Sequence, residues 1–125
     1  MKILVVDDDI LAADALRMVL SYMGHTAAIA YTADEAASIL AIGGLDAAII
    51  DWWLKPLPPG CGGRIARAAL DAGIATAVVT GYPSDLFRME KQAVVSLGGI
   101  TREKPYDINN LIDELAKLNQ ALTKK

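Results

Sequence analysis

The chain has 125 residues, 54% of them hydrophobic and 22% charged, with a formal net charge of -3. That is enough for one domain with a full apolar core, which excludes a disordered segment and a large multidomain enzyme. The acidic balance and the absence of a basic stripe argue against nucleic acid or an anionic membrane surface as the main partner, and the single cysteine, Cys61, excludes an internal disulfide.

Lys2 is followed by only four apolar residues before Asp7, Asp8 and Asp9, too few for an export signal. The longest charge-free run, Met18 to Ala33, is broken by Ser21, Gly24, His25 and Thr32 and does not reach the length of a membrane span. A cytoplasmic protein is the expectation.

Taken in order, short aliphatic runs occur at Ile3 to Val6, Ala27 to Ala30, Ala47 to Ile50, Ala75 to Val79 and, more weakly, Gly99 to Arg102. They lack polar alternation, as strands covered on both faces do, and so point to a parallel sheet. Helical spacing fills the gaps between them. Ala12, Ala15, Leu16, Val19, Leu20 and Met23 share one face, and Ala33, Ala36, Ala37, Leu40 and Ala41 share the next, where Thr32 and Glu35 form a capping-box signal. Ile65, Ala68, Ala69 and Ala72 mark a third helix, and Leu86, Met89, Ala93 and Leu97 a fourth. The fifth carries Ile108, Leu111, Ile112, Leu115, Leu118 and Leu122. Five strand-helix pairs with right-handed crossovers predict an α/β, flavodoxin-like doubly wound (βα)5 fold with strand order 2-1-3-4-5.

In such a sheet every strand finishes at one edge, where ligands bind beside the switch point between strands 1 and 3. The predicted strands end in Asp7, Asp8 and Asp9, in Asp51, in Thr80, and in Lys104 followed by Pro105. Carboxylates facing each other across the switch point repel by about 4 kcal/mol at 4 Å and an effective dielectric of 20, so a cation must offset them. An all-oxygen donor set suits a hard divalent ion, Mg2+ above all, with Mn2+ as a substitute. A metal there attracts a phosphoryl group, which Lys104 and Thr80 could contact, and Asp51 could accept it as an aspartyl phosphate. Any one of these acids alone would read as a turn or cap residue. Their shared edge gives the set its meaning.

These residues, I3-L-V-V-D-D-D, A48-I-I-D51, V78-V-T80-G and K104-P-Y-D in this order, resemble the receiver domain of two-component response regulators, of the stand-alone CheY-like type, over nearly the whole chain. The resemblance implies one receiver domain over residues 1–125, with no output domain after the fifth helix. It implies that Asp51 takes a phosphoryl group from a phosphohistidine on a sensor histidine kinase or histidine phosphotransfer protein. Asp7, Asp8, Asp51 and the backbone carbonyl of Trp53 are then the Mg2+ ligands, and Thr80 and Lys104 the phosphate contacts. The Lys104–Pro105 bond is implied to be cis. Output is implied to be a phosphorylation-driven shift, presented to a downstream protein on the face of the fourth helix, fifth strand and fifth helix, by a monomer or a phosphorylation-dependent dimer.

The chain departs from the family at Thr101, where members carry the aromatic switch residue, and in its long proline-rich loop after Asp51. Tyr82 is the candidate substitute aromatic. Trp53 and Tyr82, two residues after Asp51 and Thr80, are expected to shield the phosphate from water. Two rival readings remain: a degenerate receiver-like scaffold that is not phosphorylated, and an aspartyl-phosphate phosphatase opening with Asp-x-Asp, which lacks the further acidic pair such enzymes need. His25 reads as a solvated loop residue, Cys61 as an exposed thiol in a glycine-rich loop, and Trp52 as core or loop packing.

Overall fold

The computed structural model describes residues 1–55, 57, 61–81 and 84–123, with side chains at all of these except 84–87, 89 and 90. Tyr82, the prolines 56, 58 and 59 with Gly60, and the Lys124–Lys125 tail lie outside the described residues, as do the side chains of Leu86 and Met89. Strand and helix alternate throughout: β1 (Lys2–Val6), α1 (Ile10–Tyr22), β2 (Thr26–Ala30), α2 (Ala33–Ile42), β3 (Ala47–Asp51), α3 (Cys61–Asp71), β4 (Ala75–Thr80), α4 (Ser84–Ser96), β5 (Ile100–Glu103) and α5 (Ile108–Thr123). All neighbouring strands pair in parallel in the order β2-β1-β3-β4-β5, the predicted flavodoxin-like topology.

The two faces of the sheet carry separate cores, because successive residues of a strand point to opposite sides. On one side Ile3, Val5, Ile49, Ala77 and Val79 pack against Ala13 and Leu20 of α1 and Leu111, Ile112 and Leu115 of α5. On the other, Leu4, Val6, Ile50 and Val78 pack against Ala36 of α2, Ile65, Ala66 and Ala69 of α3, and Val94 of α4. The central strands β1, β3 and β4 are buried nearly throughout. That burial explains their unbroken aliphatic sequence.

Several helices are rotated from their predicted faces. In α1 the inward residues are Ala13, Leu16 and Leu20, followed by Met23 at the cap, while Ala12 and Ala15 are exposed and Val19 is 42% exposed. The helix is apolar nearly all round, with Leu11, Met18 and Tyr22 facing outward, so periodicity alone could not select a face. For the same reason Ile39 packs inward in α2 where Ala37 and Ala41 do not; in α3 Ala66 is buried, whereas Ala68 and, just past the helix, Ala72 are exposed. Among the described side chains of α4 Val94 is the buried one, while Ala93 and, just past the helix, Leu97 are exposed. The α5 stripe matches its prediction residue for residue.

The remaining corrections are local. β5 starts at Ile100, one residue after the predicted Gly99. His25 is half-buried, with Nδ1 2.8 Å from the N-terminal amine; burial and that ammonium group hold its pKa below the ordinary value. Cys61 is half-buried and begins α3, so it is not an exposed loop thiol. Trp52 needs no correction: expected to pack in the core or against the loop, it is 2% exposed and belongs to the core between the sheet and α3.

Candidate functional site: a carboxylate cleft at the strand ends

β1 runs out at Val6, and the next residue, Asp7, keeps the sheet's direction by donating its N–H to the Ala30 carbonyl at 3.1 Å. Its carboxylate accepts the Asp9 N–H at 2.9 Å, while Asp9 caps α1 by accepting from Leu11 and Ala12. Of the three consecutive acids, one therefore serves as an N-cap and Asp7 and Asp8 are left at the rim. Asp51, the last residue of β3, lies in register with Val79, and β1 and β3 are neighbours, so Asp51 and Asp7 flank the switch point. One carboxylate oxygen from each of Asp7, Asp8 and Asp51 lies within 4.8 Å of the others.

Lys104 reaches this cluster from β5's end. Its backbone N–H donates to the Thr80 carbonyl at 2.7 Å, and the following bond to Pro105 is cis. Its ammonium lies 3.3 Å from Asp51 Oδ2 and 3.6 Å from Asp7 Oδ2. Asp7, Asp8, Asp9, Asp51, Trp53, Lys55, Gly81 and Lys104 line a cleft of about 370 Å³.

The charges in this cleft are mutually adjusted. Burial pushes the Asp51 carboxyl up to about 6, against the pull of Lys104 and with a further push from Asp7. Burial pulls the Lys104 amine down, but Asp51 and Asp7 more than offset it, and its net shift is upward. Even with Lys104 in place, negative charge at Asp51 is held at a cost, as it is wherever carboxylates are desolvated side by side. Three converging carboxylates with no sulfur or imidazole donor fit a hard divalent cation that retains water ligands.

Of the other predicted site residues, Trp53 lines the cleft, with its N–H 3.5 Å from Asp51 Oδ1 and its indole N–H donating to the Leu57 carbonyl at 2.6 Å. Thr80 is fully buried at the end of β4 and does not line the cleft; strand alternation sets it on the α3 and α4 side, with Val78. Thr101 is half-buried in β5, in register with Val78. Sequence reasoning missed Lys55, whose ammonium lies 5.4 Å from the Trp53 ring centroid at the cleft's outer wall. A lysine in a proline-rich loop carries no periodic signal that could have found it.

No family model and no curated protein matches the sequence. Solved structures do. A CheY-like response regulator receiver domain protein from Methanospirillum hungatei JF-1 superposes with a TM-score of 0.80 at 25% identity, covering 98% of this chain and 96% of that one. A sensor protein from Polaromonas sp. JS666 covers 97% of each chain at a TM-score of 0.76 and 26% identity. Response regulator TrrA from Thermotoga maritima, solved in complex with Mg2+-BeF, gives 0.75 at 21% identity over 94% of this chain and 97% of its own. With its strand order, its cleft at the strand ends and this full-length correspondence, the chain has the fold of the CheY-like response-regulator receiver domain.

Proposed function

We propose that the chain is the phosphoacceptor of a two-component signalling system, with Asp51 as the site of phosphorylation. The observation that carries this reading is the convergence of the Asp7, Asp8 and Asp51 carboxylates within 4.8 Å beside the Lys104 ammonium, at the sheet edge where this fold binds ligands. The Mg2+-BeF held by the Thermotoga neighbour supports Mg2+ as the ion.

Asp7, Asp8 and Asp51, with the Trp53 carbonyl, are the residues that would hold Mg2+. When bound, the ion neutralises the clustered carboxylates and draws in phosphoryl oxygens. An Asp51 carboxylate oxygen attacks the phosphorus of a phosphohistidine. The P–O bond to Asp51 forms, the P–N bond breaks, and the leaving imidazole takes up a proton from solvent. Lys104 stabilises the charge that spreads over the equatorial oxygens, and the Thr80 hydroxyl joins it once β4's end rearranges to bring that buried side chain to the phosphate. Trp53, tied down through Leu57, stands at the rim where it keeps water from the acyl phosphate.

A sensor histidine kinase or histidine phosphotransfer protein is the donor in this reading. The output is a population shift read by a protein target on the α4, β5 and α5 face. Thr101 on β5 means that this shift does not depend on an inward-turning aromatic at that position. Incubation with a small-molecule phosphodonor and Mg2+, followed by intact mass spectrometry, tests the proposal. The wild type should gain one phosphoryl mass and Asp51→Asn should not. Absence of an Asp51-dependent gain would leave a receiver-shaped binding scaffold.

A further inference from the structure

The backbone that follows Asp51 is held from outside the carboxylate cluster. α3 begins at Cys61, and its first turn lies against residues 51–54. The Gly62 N–H donates to the Trp52 carbonyl at 2.9 Å. Gly62 is buried so tightly against β3 that a Cβ would overlap the Asp51 carbonyl oxygen, so glycine is required there by space and not by an unusual φ. The Cys61 sulfur meets both backbone groups of Leu54, accepting from its N–H at 3.1 Å and donating to its carbonyl at 3.5 Å. The Leu54 side chain is itself 1% exposed, which anchors the far end of the segment.

We propose that Cys61 and Gly62 are positioning residues: the first turn of α3 clasps the Asp51–Leu54 backbone and so sets both the Asp51 carboxylate and the Trp53 carbonyl toward the cation cleft. This inference rests on the phosphoacceptor reading above and deepens it. The Leu57 N–H also donates to the Leu54 carbonyl at 3.1 Å, a turn at the segment's far end. The clasp adds a restraint from α3 to that turn. Groups that orient metal ligands matter nearly as much as the ligands themselves, since small misplacements at a reacting centre are costly.

The chemistry of the thiol provides a discriminating pair of variants. Serine can accept from and donate to Leu54 as cysteine does, whereas alanine can do neither. NMR on the isotopically labelled chain would follow Mg2+ binding by amide shifts, and hydrogen exchange at residues 52–54 in EDTA, for wild type, Cys61→Ala, Cys61→Ser and Gly62→Ala. Cys61→Ala should weaken Mg2+ binding roughly tenfold, the lower end of the range for losing a ligand-orienting group, and should speed exchange of the Leu54 amide. Cys61→Ser should restore both. Gly62→Ala should be impaired more severely, and if it fails to fold the cysteine pair still decides the matter.

Unchanged Mg2+ affinity and exchange in Cys61→Ala would overturn the proposal, as would a serine variant as impaired as the alanine one. If the wild type shows no Mg2+ response but exchange separates the variants as stated, the cation reading fails and the clasp stands. If the wild type responds and the variants do not separate, the clasp fails and the cation reading stands.

Discussion

Asp51 shows how one side chain can be held charged at the expense of stability. Its pKa is raised from 3.8 to about 6 by burial first, with Lys104 opposing and Asp7 reinforcing. Between those values the folded protein binds a proton that the unfolded chain releases, so stability falls as pH rises from 4 to 6, and the full penalty applies above that. The shift corresponds to at most about 3 kcal/mol. In EDTA, Asp51→Asn is therefore expected to be more stable than the wild type at pH 7.5, and the difference should vanish near pH 4. Urea denaturation of both proteins across this range checks the sign. A wild type as stable as the variant at pH 7.5 would mean that Lys104, 3.3 Å away, already compensates the charge in full. Local sequence made the acid visible but not its energetic state, which depends on Asp7 and Lys104 arriving from other strands.

Among the elements, the junction of α4 with β5 is tightly packed. A Cβ at Gly99 would lie 2.6 Å from Val94 Cγ1, 3.1 Å from the Val94 carbonyl and 3.2 Å from Leu70 Cδ1 of α3. Gly99→Ala should thus cost about 1–3 kcal/mol, as overpacking of a well-filled site does. The nearest obstruction is a single methyl, so the cost should drop by about 1 kcal/mol in a Val94→Ala background, a coupling that a double-mutant cycle of denaturation midpoints would measure. Additive effects would place the strain in the backbone instead. This junction also explains why β5 was the least legible strand: Thr101, Arg102 and Glu103 belong to an edge, where Arg102 pairs with Glu114 of α5, and only Ile100 packs into the α1 and α5 core. α5 was fully legible because it has one apolar stripe. α1 was not, because Leu11 at 81%, Met18 at 64% and Tyr22 at 95% exposure offer a second one.

Across the whole molecule, the parallel topology does what no local pattern can: it carries the ends of β1, β3 and β5 to one place, so the acids and Lys104 were legible as a set once strand order was inferred. The clasp at Gly62 was not, since the close approach exists only after α3 packs on β3. The same topology would tie the proposed cation binding to global stability, because the three carboxylates come together only in the folded chain. An ion that binds the folded form alone stabilises it by RT ln(1 + [L]/Kd), about 2.7 kcal/mol at one hundred times Kd. For a chain of this size that is a melting-temperature rise on the order of 3–5 °C per kcal/mol. The wild type should therefore melt progressively higher with the logarithm of Mg2+ concentration and fall back on adding EDTA. Asp8→Asn, which replaces one anionic donor in the half-exposed part of the cleft with a neutral amide, should flatten that slope while folding normally. NaCl at matched ionic strength separates site binding from simple screening of the acidic cleft, since screening acts alike on both proteins and does not distinguish the valence of the cation beyond its ionic strength. A melting temperature that follows ionic strength alone, with the same slope in Asp8→Asn, would leave the converging carboxylates as a charged surface without a resident ion.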